Sequence, residues 1–325
     1  MGINCSACGC AGKELETHSE VDFNYPGSYR KKSLKSNDLP LAQVIRIQSA
    51  WRGFRVRRFL NILRKKTAFS SYSSIEDLRS TKSSNLIHER EERPRFLCKN
   101  GAVYVGQWRG NRKDGFGVQS WADGAWYEGQ WKDDKANGFG KFFHVGGDVY
   151  EGEWKDDKAH GKGKYILRTG AVYEGDWKED VQQGYGKETF PDGSKYEGFY
   201  ENGEKQGFGN YIWKDLNSYA GNWEQNKISG QGVYRWPDGR EYNGEWKLGA
   251  MHGFGTYTWK DGRSYQGQYK NDLKHGHGIY IWADGRKYEG GWMEGKQHGL
   301  GVMYDLSGIC KSGEWKEGKR IRWLD

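Results

Sequence analysis

The sequence predicts an all-β chain: an elongated antiparallel β-meander of about ten 23-residue hairpin repeats, preceded by a basic amphipathic helix and a flexible N-terminal tail. Three observations carry that expectation. Tyr-x-Gly-x-Trp, or a close variant, starts at Tyr104, Tyr127, Tyr150, Tyr173, Tyr196, Tyr219, Tyr242, Tyr265 and Tyr288, always 23 residues apart. A Gly-x-Gly follows each copy, from Gly115/Gly117 to Gly299/Gly301. Aliphatic residues are sparse while Gly (49) and Trp (16) are abundant, so aromatic rings must supply the buried area.

Each repeat reads as one hairpin. In Tyr104-Val-Gly106-Gln-Trp108 the marked residues stand at i, i+2 and i+4, on one face of a strand, and the glycine between them leaves room for a ring to lie over the backbone. The polar stretch Arg109–Asp114 is expected to turn, and a second strand to run from Gly115 through Trp121. Asp-Gly pairs such as Asp123-Gly124, Asp192-Gly193, Asp238-Gly239, Asp261-Gly262 and Asp284-Gly285 are expected to be two-residue turns needing φ > 0, joining each hairpin to the next. About twenty strands at roughly 4.8 Å would give a sheet about 90–95 Å across. A tenth copy has Lys311 in place of Tyr and keeps Gly313 and Trp315; it lacks the final Gly-x-Gly, as a terminal cap would.

The repeat also bounds the chemistry. The Gly-x-Gly pairs precede strands, whereas a dinucleotide fingerprint needs a following helix to meet the pyrophosphate. His160, His252, His275 and His298 precede Gly-x-Gly, about 9.6 Å apart, too far to share a metal at ~2 Å bond lengths. No Ser/His/Asp set, Cys/His pair or carboxylate dyad stands outside the periodic pattern, so the chain is expected to be no enzyme and to need no cofactor or metal. Residues 1–98 hold 18 Lys and Arg against 10 Asp and Glu, and the remainder holds 33 of each. The positive excess therefore sits in the arm, and the array offers no basic footprint for nucleic acid. Five cysteines without framework spacing fit a reducing compartment. No apolar run reaches the roughly 18–20 residues of a membrane span.

Tyr-Glu-Gly-Gln-Trp-Lys followed by Gly-x-Gly resembles the MORN (membrane occupation and recognition nexus) repeat, and the resemblance covers about residues 99–325. It implies a curved β-meander used for assembly at membrane–cytoskeleton junctions, often as a homodimer. The aromatic face, represented by Tyr127, Trp131, Tyr150, Trp154, Tyr173, Trp177, Tyr242, Trp246, Tyr288 and Trp292, is expected to meet an unidentified protein. Phospholipid binding is often proposed for such repeats, but the zero net charge of this array argues against it here.

The arm divides into a tail (1–37), a helix (38–66) and a Ser- and charge-rich linker (67–97), ahead of the array (98–325). Met1-Gly2-Ile3-Asn4-Cys5-Ser6 fits the N-myristoylation pattern at Gly2, and Cys5, Cys8 and Cys10 offer a second acyl site, which stable anchoring requires. Arg30-Lys31-Lys32 adds attraction to an anionic inner leaflet, and Ser33 beside it has the spacing of a basophilic kinase site. Asp38 and Pro40 are placed to open a helix carrying Ile47, Gln48, Trp51, Arg52, Gly53, Phe54 and Arg57. This segment resembles the IQ motif, which implies binding of calmodulin or a calmodulin-like light chain, Ile47 filling a groove and the arginines meeting an acidic rim. The expected whole is a lipid-anchored scaffold on the cytoplasmic face of a membrane, with a ciliary or cytoskeletal setting as the expected context. The alternative is an unlipidated subunit of a phosphoinositide-signalling or axonemal complex.

Overall fold

The computed structural model describes residues 89–324, so the tail, the IQ-like segment and the linker up to residue 88 lie outside the described residues. Twenty-one strands form one open antiparallel sheet in which every strand pairs with its neighbour in sequence. The first, β1 (Glu91–Leu97), comes from the end of the stretch read as linker; it caps the array with Pro94 at its bulge, a residue suited to an edge because it donates no ladder hydrogen bond. Each repeat then supplies a seven-residue strand and a nine-residue strand, as in β2 (Val103–Arg109) and β3 (Arg112–Ser120). The final pair, β20 (Cys310–Lys316) and β21 (Lys319–Trp323), ends on a shortened strand of five residues. Among the described residues there is no helix.

The turn assignment is corrected by the structure. The tight two-residue turns lie inside each repeat, and after the first (Gly110-Asn111, where only the glycine has positive φ) both residues take left-handed φ: Asp133 and Asp134 at 48° and 71°, Asp156 and Asp157 at 50° and 69°, Asn202 and Gly203 at 52° and 82°. This geometry matches the twist of the flanking strands, and Asp and Asn tolerate it because their short polar side chains bond locally. Asp-Gly instead sits in five-residue loops between repeats, such as Trp121–Ala125. There Gly124 N–H donates to Trp121 O at 3.1 Å, Trp121 N–H donates to Ala125 O at 2.9 Å, and only the glycine has positive φ. The second strand also starts earlier than expected, at Arg112. Its register slips between Gly106 and Trp108, so Asp114 and Gly115 form a bulge with Gly115 at φ 105°. The next repeat covers the gap: Asp134 N–H donates to Lys113 O at 3.0 Å, and Asp134 Oδ1 accepts from Lys113 N–H at 2.8 Å.

Burial alternates along the strands, Tyr104 and Trp108 facing in, which puts the core on one face of the sheet. The opposite face carries Lys141–Glu151, Lys164–Glu174 and Lys187–Glu197 pairs at 2.8, 3.4 and 2.9 Å, solvent-exposed contacts that contribute little stability.

One inter-repeat loop breaks its own rule. In the loop Trp213–Asn217 the left-handed position is Leu216 (φ 68°, 72% exposed), where the other inter-repeat loops have glycine. Leu216→Gly relieves that strain with little packing lost, and should raise stability by about 1 kcal/mol in a denaturant titration; an unchanged or lower midpoint would show that the side chain packs in solution.

Candidate functional site

The inward face is organised by the repeat motif itself. Tyr127 lies flat across the paired glycines Gly129 and Gly140, so close that a Cβ on Gly140 would stand 2.6 Å from the tyrosine's Cε2. Its hydroxyl donates to the carbonyl of Gln130 three residues on, at 2.9 Å. The same bond recurs in the other repeats, for example Tyr104 to Gln107, Tyr196 to Phe199 and Tyr288 to Gly291. The ring over the glycine pair is thus the strand's own tyrosine. Burial raises the phenol pKa of Tyr104, Tyr127, Tyr173 and Tyr242, and pushes that of Tyr288 up to about 12.

The tryptophan couples each repeat to the one before. Trp131 Nε1 donates to Gly117 O at 3.1 Å, and Trp154, Trp177, Trp223, Trp246 and Trp292 repeat the bond 14 residues back. Each tyrosine also meets the tryptophan of its own and of the next repeat edge-to-face. The centroids are 5.1 Å apart for Tyr127–Trp131 and 5.3 Å for Tyr127–Trp154, with planes at 88° and 85°. Tyr200 and Tyr269 take the tryptophan place without breaking the ladder, at 5.2 Å from Tyr173 and Tyr242. Such pairs contribute about 0.5–1.5 kcal/mol beyond their burial.

The ten residues Tyr127, Trp131, Tyr150, Trp154, Tyr173, Trp177, Tyr242, Trp246, Tyr288 and Trp292 are brought together in this ladder, each no more than 8% exposed. Gly2, Cys5, Cys8, Cys10, Ser33, Ile47, Gln48, Trp51, Arg52, Gly53, Phe54 and Arg57 lie outside the described residues. Among the described residues no three His, Cys, Asp or Glu side chains cluster as metal ligands. His252 and His298 each bury an Nδ1 without a hydrogen-bond partner.

Two features escaped the sequence reading. The second residue of the long strand packs among rings as Lys113, Lys205 or Lys274 in three repeats, and belongs to the apolar core as Ile228 or Met251 in two others. Lys274 Nζ stands 4.5–5.3 Å from the centroids of Tyr280, Trp292, Tyr265 and Trp259, and Lys205 Nζ pairs with Glu188 at 3.1 Å. The other is a second aromatic row along the loop rim. Tyr211, Trp213, Tyr234, Trp236, Tyr257, Trp259, Tyr280 and Trp282 follow one another at 4.4–5.9 Å. The recurrence of Trp-x-Asp-Gly-Arg at Trp236, Trp259 and Trp282 was a legible signal for it.

With this geometry established, comparison places the chain. A family profile of the MORN repeat matches nine units, at 104–126, 127–149, 150–172, 173–195, 196–218, 219–239, 242–262, 265–285 and 288–308; the chain belongs to the MORN repeat family. No curated relative matches significantly. Among solved structures it is similar to the TCP domain of Drosophila melanogaster SAS-4 (dCPAP) in complex with a proline-rich motif of Ana2. That match has 12% identity over 60% of this chain and 99% of the other, with a TM-score of 0.32. The TCP10 domain of Danio rerio CPAP in complex with a STIL peptide matches at 12% over 73% and 99%, TM-score 0.23. Staphylococcus aureus virginiamycin B lyase matches at 14% over 74% and 75%, TM-score 0.14. All three likenesses are too loose to carry an argument about function.

Two outcomes test this site. Gly140→Ala drives a methyl into Tyr127 and should destabilise the array by about 3 kcal/mol or more, as overpacking does. Gly124→Ala, with nothing within 4 Å, should cost only its backbone strain, about 1 kcal/mol. Equal losses in denaturation would refute the slot. The second outcome concerns Lys274, which burial pulls from an ordinary 10.5 down to about 8. Between those values the unfolded chain holds more protons than the folded one, so this group adds stability as pH rises from 8 towards 10.5; below 8 its penalty is constant. Lys274→Met, copying Met251, should therefore be more stable than wild type at pH 7 by about 1–3 kcal/mol. That advantage should shrink between pH 8 and 10. A constant advantage would mean that the ammonium is not desolvated.

Proposed function

We propose that this chain is a non-enzymatic, membrane-tethered scaffold or adaptor. The observation that carries the reading is that the recurring Tyr, Gly and Trp residues are all engaged in joining one repeat to the next. The motif thereby builds a long rigid platform whose rim and outer face stay open for assembly, as in repeat proteins that bind along extended surfaces. The N-terminal arm supplies the address. Gly2 acylated together with one or more of Cys5, Cys8 and Cys10 holds the chain at the cytoplasmic face of a membrane, with Arg30, Lys31 and Lys32 against anionic lipid. Residues 38–66 bind calmodulin or a similar light chain through Ile47 and Gln48, with Trp51 and Phe54 widening the apolar contact and Arg52 and Arg57 at the acidic rim.

Affinity purification of the full chain from membrane and soluble fractions, with and without calcium, tests this. Wild type should fractionate with membranes and carry a calmodulin-like protein. Gly2→Ala should move most of the chain to the soluble fraction. Ile47→Ala with Gln48→Ala should lose the calmodulin-like partner, at least roughly thirtyfold in affinity, because a groove-buried anchor is removed. Undiminished membrane residence of Gly2→Ala would instead support the unlipidated-subunit reading.

A further inference from the structure

The rim of the sheet is not uniform. In the loops that begin at Trp121, His144, Leu167 and Phe190 the fifth residue is Ala125, Asp148, Ala171 or Ser194. In the three that begin at Trp236, Trp259 and Trp282 it is Arg240, Arg263 or Arg286. All of them close through the same backbone bonds, so the fold requires neither the tryptophan nor the arginine. The four loops from Trp213 to Arg286 hold five Lys and Arg against four Asp, whereas the four earlier loops hold one basic residue and three acidic ones.

Each arginine is fixed at both ends. Asp238 accepts from the backbone N–H of Arg240 with one oxygen, at 3.1 Å, and from its Nε with the other, at 2.7 Å. Asp261 holds Arg263 and Asp284 holds Arg286 in the same way. The guanidinium lies over the loop's own tryptophan, at 5.1, 5.3 and 5.7 Å to the ring centroids. A guanidinium has five N–H donors; the aspartate takes one, and at Arg240 the hydroxyl of Tyr257 takes another at 3.3 Å. Oriented donors therefore remain, with 34%, 40% and 52% of the three side chains exposed. Trp213, Trp236, Trp259 and Trp282 are half-buried, so part of each ring faces solvent.

The spacing selects the occupant. Equivalent loops lie two strands apart, about 9.6 Å. A polyproline-II segment advances about 9.3 Å per three-residue turn, so residues i, i+3 and i+6 share one edge and stay in step with the tryptophans; a β-strand, with period two, does not. Proline rings pack on aromatic side chains, and the carbonyls of a polyproline-II chain have no internal donors. Resting on the scaffold reading above, we infer that the rim from Trp213 to Arg286 binds a proline-rich segment of a partner protein in polyproline-II form. Prolines rest on the solvent-facing parts of successive tryptophans, and an acidic residue once per turn faces Arg240, Arg263 and Arg286.

The test uses the full chain and a (Pro-Pro-Glu)4 peptide, followed by calorimetry and tryptophan fluorescence. Saturable binding is expected for this peptide, and at least about tenfold weaker binding for (Pro-Pro-Lys)4 and (Gly-Ser-Glu)4. The triple variant Arg240→Gln, Arg263→Gln, Arg286→Gln should weaken (Pro-Pro-Glu)4 by a similar factor with an unchanged circular dichroism spectrum. Trp236→Leu with Trp259→Leu should do the same, whereas Trp121→Leu should have no effect. No binding, equal binding of (Gly-Ser-Glu)4, or indifference to the triple variant overturns the inference. If the triple variant still recovers the wild-type set of partners in affinity purification, this rim site fails while the scaffold reading stands; loss of all partners by wild type itself would sink the scaffold reading instead.

Discussion

The whole array depends on a tyrosine ring lying on two glycines. A single-layer sheet has no opposing layer to bury its inner face, and a one-sided sheet is normally unstable in water. Here the Tyr127 ring folds down onto its own hairpin, and this is sterically allowed only because Gly129 and Gly140 pair directly across the strands. The bulge at Gly138 (φ 94°) and the left-handed turn at Asp133-Asp134 shape the same hairpin around that slot. Once the phenol is flat, its hydroxyl reaches Gln130 O and its edge presents to Trp131 and Trp154. Glycine, tyrosine and tryptophan thus form one unit, each useless to the core without the others.

Coupling between repeats is equally local. An indole N–H 14 residues on, a turn residue 21 residues on and an edge-to-face ring pair tie each hairpin to the next. Stability in such a chain is close to a sum of repeat and interface contributions, so the ends are the weak points. The N-terminal end shows the cost: Trp108 Nε1 is buried without a partner, because β1 has Pro94 and a bulge where other repeats have the glycine pair. At the other end, Lys311 replaces tyrosine and β21 is short and rich in Lys and Arg, features that discourage further edge pairing.

Function enters where the repeats differ. The common residues are occupied in holding the sheet together, so the proposed recognition falls to exposed positions that vary from one unit to the next, above all the tryptophan–arginine rim of the later repeats. Placement at a fixed interval suits a surface that reads an extended partner, and the proposed tethering of that surface through a separate arm fits a scaffold.

The sequence alone determined the architecture, because a strict 23-residue period with Tyr, Gly and Trp at alternate positions fits only a strand with one buried face. It also fixed the family and the nine glycine pairs. It did not determine the turns. Asp123-Gly124 is the stronger hairpin signal, yet the tight turn falls at pairs such as Asp133-Asp134, because the bulge at the first glycine of Gly-x-Gly shifts the register and the next repeat's backbone completes the bonding. Nor did it reveal that Lys274 lies among four rings, or that Arg240, Arg263 and Arg286 each lie over the tryptophan of their own loop. Those relations join residues that the chain separates by a full repeat or by a bulge, and only the register of paired strands in three dimensions decides them.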